Sequence, residues 1–107
     1  MPKAVRFYET GGPEVLKLED IEVGEPGPGQ ARVRHSYVAL NFIDIYFREG
    51  RYPAKLPYTL GQEAAGTVVA VGDSVIAVKV GDRVAWCGVP GTYAQLAVAP
   101  ADRLVRI

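Results

Sequence analysis

The stretch AAGTVVAVGDSVIAVKVGDRVAWC, residues 64–87, decides the fold class of this chain. Its two ends, residues 64–71 and 83–87, are predicted strands because they are rich in valine and are bounded by turn residues. Gly72-Asp73-Ser74 and Gly81-Asp82 supply those turns. Short strands at such close spacing favour a barrel or a sandwich over a doubly wound parallel sheet.

Turn-forming residues also separate short segments on both sides of this stretch. Glycine and proline number 12 and 8, and they divide the chain into short segments. Further strands are predicted at residues 3–8, 15–21, 30–40, 92–98 and 104–107, with loops at 24–29 and 50–60. In the longest strand, alternation places five residues on one face: Ala31, Val33, His35, Tyr37 and Ala39. The sequence therefore predicts one small, mainly β domain over residues 1–107.

Residues 41–49 change period and form a predicted short helix. Asn41 is a suitable N-cap, and Asp44 at the third helical position makes a variant of the capping box. Asp44 and Arg48 are four positions apart, so we expect them to pair on the helix surface.

Composition narrows the classes of function. Hydrophobic residues make up 49% of the chain and charged residues 22%, which indicates a folded core. Lys plus Arg equals Asp plus Glu at 12 each, and no basic block is present, so we expect no nucleic-acid partner. No apolar stretch could span a bilayer and residues 1–5 lack the apolar core of a signal peptide, so we expect a cytoplasmic protein and no membrane partner.

The sequence has the residues for neither a phosphate-binding loop nor a zinc site. The segments 24–29 and 61–66 are the only glycine-rich candidates for a phosphate-binding loop, but the first lacks the G-x-G-x-x-G order and a following helix. The second has Thr67 where a phosphate loop needs lysine. The single cysteine, Cys87, and the single histidine, His35, are too few for a zinc site. We predict that Cys87 packs within the barrel, that His35 is a strand histidine with satisfied hydrogen bonds, and that no metal is bound.

A polar and aromatic cluster remains around the helix and the loop after it. Its members are Asn41, Asp44, Tyr46, Tyr52, Gln62 and Glu63. Each has a structural explanation: a helix cap, a packed ring or a loop anchor. Together the two phenols and the amide could instead donate hydrogen bonds to an oxygen that gains negative charge. A phenol has a pKa of about 10, so both tyrosines are donors at neutral pH.

At these residues the chain resembles the zinc-free quinone oxidoreductases of the medium-chain dehydrogenase/reductase superfamily. The matching motifs run in order along the whole chain: Gly11–Leu16, Asn41–Tyr46, Arg48–Pro53, Leu60–Gly66, Val71-Gly72, Gly81–Val84, Gly91–Ala94 and Ala101-Asp102. Zinc-dependent relatives have Gly-His-Glu where this chain has Gly61-Gln62-Glu63, and cysteine where Asn41 stands. The resemblance therefore implies a site without zinc.

The resemblance also implies a fold and roles for individual residues. The fold is a GroES-like, partly open β-barrel with short helices. Asn41, Phe42, Asp44 and Tyr46 would line the nicotinamide end of NADPH, and Tyr46 and Tyr52 would be the catalytic residues at the quinone. Glu63 would be a buried structural carboxylate beside the cleft.

The implied reaction is hydride transfer from NADPH to a quinone. The resemblance places most of the cofactor in a nucleotide-binding Rossmann domain beyond these residues. We therefore expect the 107-residue chain alone to bind NADPH weakly and to catalyse nothing measurable, and its cleft face to be apolar. The full-length enzyme is expected to be a homodimer. The alternatives are a GroES-like binding or co-chaperone module without redox activity, an enoyl-thioester reductase of the same branch, and a structural protein derived from an enzyme.

Overall fold

The structure, a computed structural model, describes residues 2–107. Over that range it is mainly β, with one α-helix, α1 at Phe42–Glu49, and 3₁₀ turns at Pro13–Val15 and Ala101–Arg103. The strands are β1 Lys3–Phe7, β2 Lys17–Asp20, β3 Gln30–Ala39, β4 Tyr58–Thr59, β5 Glu63–Val71, β6 Arg83–Cys87, β7 Leu96–Pro100 and β8 Val105–Arg106. No helix within residues 2–107 is long and apolar enough to cross a membrane.

The strands form two antiparallel sheets, in the orders β2-β1-β4 and β7-β3-β5-β6-β8. The predicted mainly β class is confirmed, and the sheets do not close into a barrel. They meet where β1 touches the segment 92–95, which we call the bridging segment. There Ala4 and Ala94 form an isolated bridge. The Val5 N–H donates to the Tyr93 carbonyl at 2.8 Å, and the Gln95 N–H donates to the Lys3 carbonyl at 2.9 Å.

The core divides between the two sheets. The larger sheet buries a cluster that includes Ala31, Val33, Val68, Val84 and Trp86. The smaller sheet packs Phe7, Val15 and Leu60 together. Burial of these apolar side chains is the main force that holds each sheet to its neighbours.

A β-bulge in β3 changes which residues point into the core. His35 pairs with Gly66 and Tyr37 with Ala65, so Ser36 is an extra residue in the ladder. A bulge breaks the alternation of side chains, and Tyr37 is accordingly 75% exposed. The prediction that Tyr37 shares the face of the buried Val33 is therefore wrong.

Three differences from the predicted elements exceed one residue at an end. The predicted strand 15–21 is shorter because Pro13–Val15 forms a 3₁₀ turn before β2 begins at Lys17. The predicted strand 92–98 begins only at Leu96, because the bridging segment carries the link to β1. The short strand β4 lies inside the predicted loop 50–60 and pairs with β1.

Candidate functional site

The start of α1 is held by the carboxylate of Asp44. Its Oδ2 accepts the backbone N–H of Asn41 at 3.0 Å, which is the carboxylate half of the predicted capping box. The same oxygen accepts the hydroxyl of Tyr93 at 2.7 Å. Asp44 is only 2% exposed, so this contact lies beneath the helix. The predicted surface pair of Asp44 with Arg48 is wrong, and the Arg48 Nε instead donates to the Gly11 carbonyl at 3.1 Å.

The side chain of Asn41 reaches across to the larger sheet. Its Nδ2 donates to Glu63 Oε2 at 2.8 Å, at the point where β5 begins. Glu63 is half-buried rather than buried, and it anchors the amide that the sequence marked as a donor. Backbone and side chain of Asn41 are thus fixed by two different carboxylates.

The two tyrosines expected at the substrate lie side by side. The rings of Tyr46 and Tyr52 meet edge to face, with centroids 5.8 Å apart and planes at 83°. Together with Arg51 they line a cavity of about 320 Å³. The Arg51 guanidinium lies 5.3 Å from the Tyr46 ring centroid, a distance at which a cation is attracted to the ring face.

The remaining tyrosines near α1 are engaged with protein groups. The ring of Phe47 stacks on Tyr58 at 5.3 Å and also contacts Tyr52 at 5.6 Å. Burial raises the pKa of Tyr58, with a smaller contribution from the charge of Asp44, while the Gln62 side chain opposes the rise. Burial likewise raises the pKa of Tyr93, and its bond to Asp44 raises it further. Tyr93 is therefore a permanent donor in any ordinary buffer.

An apolar patch runs from the end of β3 into the first turn of α1. Its exposed members are Tyr37, Val38, Leu40, Phe42 and Ile43. Leu40 and Phe42 are 77% and 80% exposed. Beside the patch, Val38 and Leu40 also line an open groove of about 580 Å³ with Leu18 and Tyr93. Val38 and Leu40 share the lining of this groove, and exposed apolar side chains that lie together are typical of an interaction surface.

The residues capable of binding metal are scattered. Among residues 2–107 no three side chains of His, Cys, Asp or Glu come close enough to hold an ion. His35 Nδ1 lies 2.6 Å from the Ala94 carbonyl and 3.2 Å from that of Thr92. Because both partners are acceptors, that nitrogen carries the proton. Cys87 is an exposed free thiol at the end of β6, so the prediction that it packs within the barrel is wrong.

The structure brings Asn41, Phe42, Asp44 and Tyr46 together on α1 and its cap, with Tyr52 packed against the last of them. Sequence reasoning missed Tyr93. It is 49 positions from its partner Asp44, so no local pattern could connect the two residues. Tyr93 lies within the motif Gly91–Ala94 that carries the resemblance, but the resemblance implies no role for it.

The comparisons with known proteins agree on one domain type. The profile of the alcohol dehydrogenase GroES-like domain matches residues 27–107. A quinone oxidoreductase of Pseudomonas aeruginosa is 50% identical over 100% of this chain, and the human quinone oxidoreductase is 45% identical over 96%. A 2-haloacrylate reductase of Burkholderia is 38% identical over 100% of the chain. The chain spans about a third of the length of these curated relatives, between 32% and 34%.

Solved structures give the same result. The quinone oxidoreductase of Pseudomonas syringae superposes with a TM-score of 0.97 at 50% identity, covering 100% of this chain and 34% of that one. The Escherichia coli quinone oxidoreductase, solved with NADPH, superposes with a TM-score of 0.96 at 36% identity, covering 98% of this chain and 33% of that one.

Proposed function

Because the chain belongs to the family of the alcohol dehydrogenase GroES-like domain, we propose that it is the substrate-side domain of an NADPH-dependent quinone oxidoreductase. The support is the similarity to quinone oxidoreductases from bacteria and mammals along almost the whole chain. The relatives are about three times as long, so the complete activity needs residues beyond those described. A second, nucleotide-binding domain is part of the proposal.

The observation that carries the proposal is the edge-to-face pair of Tyr46 and Tyr52 around one cavity. When bound, NADPH would supply a hydride to the quinone, and solvent would supply the proton that completes the hydroquinone. As hydride arrives, an oxygen of the quinone gains negative charge. Hydrogen-bond donors that are already in place stabilise such a charge without reorganising. The tyrosine hydroxyls that donate within residues 2–107 are those of Tyr8 and Tyr93, which leaves the Tyr46 and Tyr52 hydroxyls available to the substrate.

The residues around the start of α1 suit the nicotinamide end of the cofactor. Phe42 presents an exposed apolar ring, and the half-buried Asn41 and Tyr46 add polar groups beside it. Asp44 is buried and would act from beneath through the backbone of Asn41. Cofactor binding by Asn41, Phe42, Asp44 and Tyr46 stays a prediction. The segment 61–66 cannot hold the pyrophosphate as a loop, since Glu63–Val71 forms β5 and its backbone is engaged in the ladder.

We propose that the reaction proceeds without zinc. The side chain of Asn41 already donates to Glu63, and an amide is a poor substitute for the thiolate and imidazole ligands that zinc prefers. Polarisation of the quinone oxygen would then fall to the tyrosine hydroxyls. Homodimer formation and a cytoplasmic location stay predictions of the same proposal.

The experiment replaces Tyr52 by phenylalanine in the full-length enzyme. The loss of one donor to a developing oxyanion lowers kcat by about 100-fold, the lower end of the usual range, because Tyr46 remains. NADPH affinity should change little, since the ring is kept. Steady-state kinetics with NADPH and 1,4-benzoquinone measure both quantities. Tyr8→Phe is the matched control, because its hydroxyl donates to Glu19 on the surface. Turnover at the wild-type rate in Tyr52→Phe would remove the assigned role.

A second substrate class is favoured by one relative. The similarity to a 2-haloacrylate reductase over the whole chain supports reduction of a carbon–carbon double bond conjugated to a carbonyl. An enoyl thioester belongs to the same chemical class, and its carbonyl oxygen would gain charge in the same way. Comparing kcat/KM for benzoquinone, a 2-haloacrylate and a crotonyl thioester separates these substrates. The comparisons give no support to the co-chaperone alternative.

A further inference from the structure

Tyr93 occupies the point where three parts of the molecule meet. It lies in the bridging segment, and its carbonyl accepts the Val5 N–H of β1 at 2.8 Å. Its own N–H donates to the Leu60 carbonyl at 2.8 Å. Gly61 allows this approach, because a Cβ there would lie 2.6 Å from the Tyr93 Cδ1. The backbone of Tyr93 is thus fixed by both neighbouring segments before its side chain makes any contact.

The side chain of Tyr93 connects this fixed backbone to helix α1. Its hydroxyl donates to Asp44 Oδ2 at 2.7 Å, and the same oxygen accepts the Asn41 N–H at 3.0 Å. Asp44 is 2% exposed, so water does not compete effectively for this oxygen. A chain of three residues therefore connects the junction of the two sheets to the N-cap of α1.

We propose that Tyr93 is a positioning residue, which acts through Asp44 to set the start of α1 against the bound nicotinamide. The proposal rests on the proposed function, because Asn41, Phe42 and Tyr46 are the groups whose placement it controls. Tyr93 itself contacts neither cofactor nor substrate in this scheme. The burial that keeps its phenol protonated makes the contact constant over the working pH range.

The alternative is that Tyr93 only stabilises the fold, and kinetics can tell the two apart. A purely structural defect reduces the fraction of active protein, so kcat falls while KM and the isotope effect stay constant. A misplaced helix start slows hydride transfer itself in every molecule. A displacement of about 1 Å can cost as much as 100-fold in rate.

The test compares Tyr93→Phe with the control Tyr8→Phe in the full-length enzyme. We expect Tyr93→Phe to lower kcat by at least tenfold and to raise the isotope effect measured with NADPH deuterated at C4, while Tyr8→Phe changes neither. Hydrogen exchange in the cofactor-free protein should show faster exchange of the Asn41 amide in Tyr93→Phe only. The proposal would be overturned if kcat fell while the isotope effect and the exchange rate of the Asn41 amide stayed unchanged. It would also be overturned if kcat, the isotope effect and the exchange rate all kept their wild-type values.

Asp44→Asn gives a second route if Tyr93→Phe does not fold. The amide oxygen can still accept the Tyr93 hydroxyl, but the charge that strengthens both bonds is lost. We expect a smaller fall in kcat, a smaller rise in the isotope effect and a smaller increase in the exchange of the Asn41 amide. Wild-type kinetics and exchange in this variant would refute the proposal that Tyr93 acts through Asp44. If the wild-type enzyme reduces no quinone, the proposed function fails, while the exchange comparison still decides whether Tyr93 sets the start of α1.

Discussion

His35, the one histidine of the chain, shows how much a single side chain depends on a distant segment. Its Nδ1 donates to the carbonyls of Ala94 and Thr92, and its ring meets that of Trp86 at 5.3 Å. Burial lowers the pKa of His35, although the two backbone hydrogen bonds oppose the shift. The neutral ring is therefore the form that the folded chain prefers.

This preference predicts a pH dependence of stability with a definite sign. Since the folded pKa is below the unfolded value of about 6.5, the unfolded chain binds more protons and stability rises with pH. The contribution is complete above about pH 6.5 and is lost as the pH falls through the folded pKa. Urea midpoints at pH 7.5 and 5.5 should differ in the wild type. His35→Gln should flatten that difference, because no other side chain normally titrates there. If the urea midpoint of the variant changed with pH as much as that of the wild type, His35 would not be the source of the pH dependence.

Residue identities alone could not have supplied the role of Asp44. The four-residue spacing to Arg48 predicts a surface pair, and nothing in the helix itself reveals that Asp44 is buried. Its partner Tyr93 lies in a segment that reaches α1 only after both sheets have formed. The tyrosine pair could be predicted because Tyr46 and Tyr52 are close in sequence, and their ring contact follows from one helix and one turn.

Among the elements, the sequence predicts the bounds of β3 and β5 to within one residue, but it does not predict how closely the two strands approach each other. Residues 30–40 and 64–71 show strand patterns, and the observed bounds are Gln30–Ala39 and Glu63–Val71. The bulge at Ser36 depends on pairing with β5, so alternation within β3 could not reveal it. The helix was found because its cap and its period agree, and it begins at Phe42 directly after Asn41.

The approach of these two strands predicts a cost for any side chain at Gly66. A Cβ there would overlap the carbonyl oxygen of Arg34 on β3, and neither backbone can move without breaking the ladder. We expect Gly66→Ala to lower the free energy of unfolding by about 1–3 kcal/mol. Gly24→Ala is the control, since no atom lies within 4 Å of its Cβ position, and its effect should stay within about 0.5 kcal/mol. Equal urea midpoints for the two variants would show that the strands can separate.

On the scale of the whole molecule, the apolar patch is the feature best suited to contact with a further domain. Leu40 and Phe42 give this patch the apolar character expected of a cleft face, and its identity as the cleft face stays a prediction. We propose that the nucleotide-binding domain covers this patch in the full-length protein. Sequence alone marks these residues as apolar, but only the fold shows that they are exposed together.

The patch should make the described chain bind hydrophobic dyes and associate with itself. Leu40→Ser should reduce anilinonaphthalene sulfonate fluorescence and self-association, and it should change the free energy of unfolding by no more than about 0.5 kcal/mol, because Leu40 is 77% exposed. Ile76→Ser is the control. Ile76 is 96% exposed, but it lies outside the patch. Its loop is near the start of β3, where the Gly72 N–H donates to the Gln30 carbonyl, whereas the patch begins at the other end of that strand. Equal dye binding by the two variants would mean that the patch binds the dye no better than an exposed isoleucine elsewhere on the surface.

The junction between β1 and the bridging segment has a consequence for the order of folding. The Lys3 N–H donates to Gln95 Oε1 across 92 positions, so β1 leaves the ribosome long before the segment to which it is bonded. Until then β1 can pair only with nearby β2 and, later, β4. Closure of a loop that long is slow relative to a local hairpin. During synthesis β1 and β2 can therefore pair before the bridging segment has been made, and the bonds of β1 to that segment can form only afterwards.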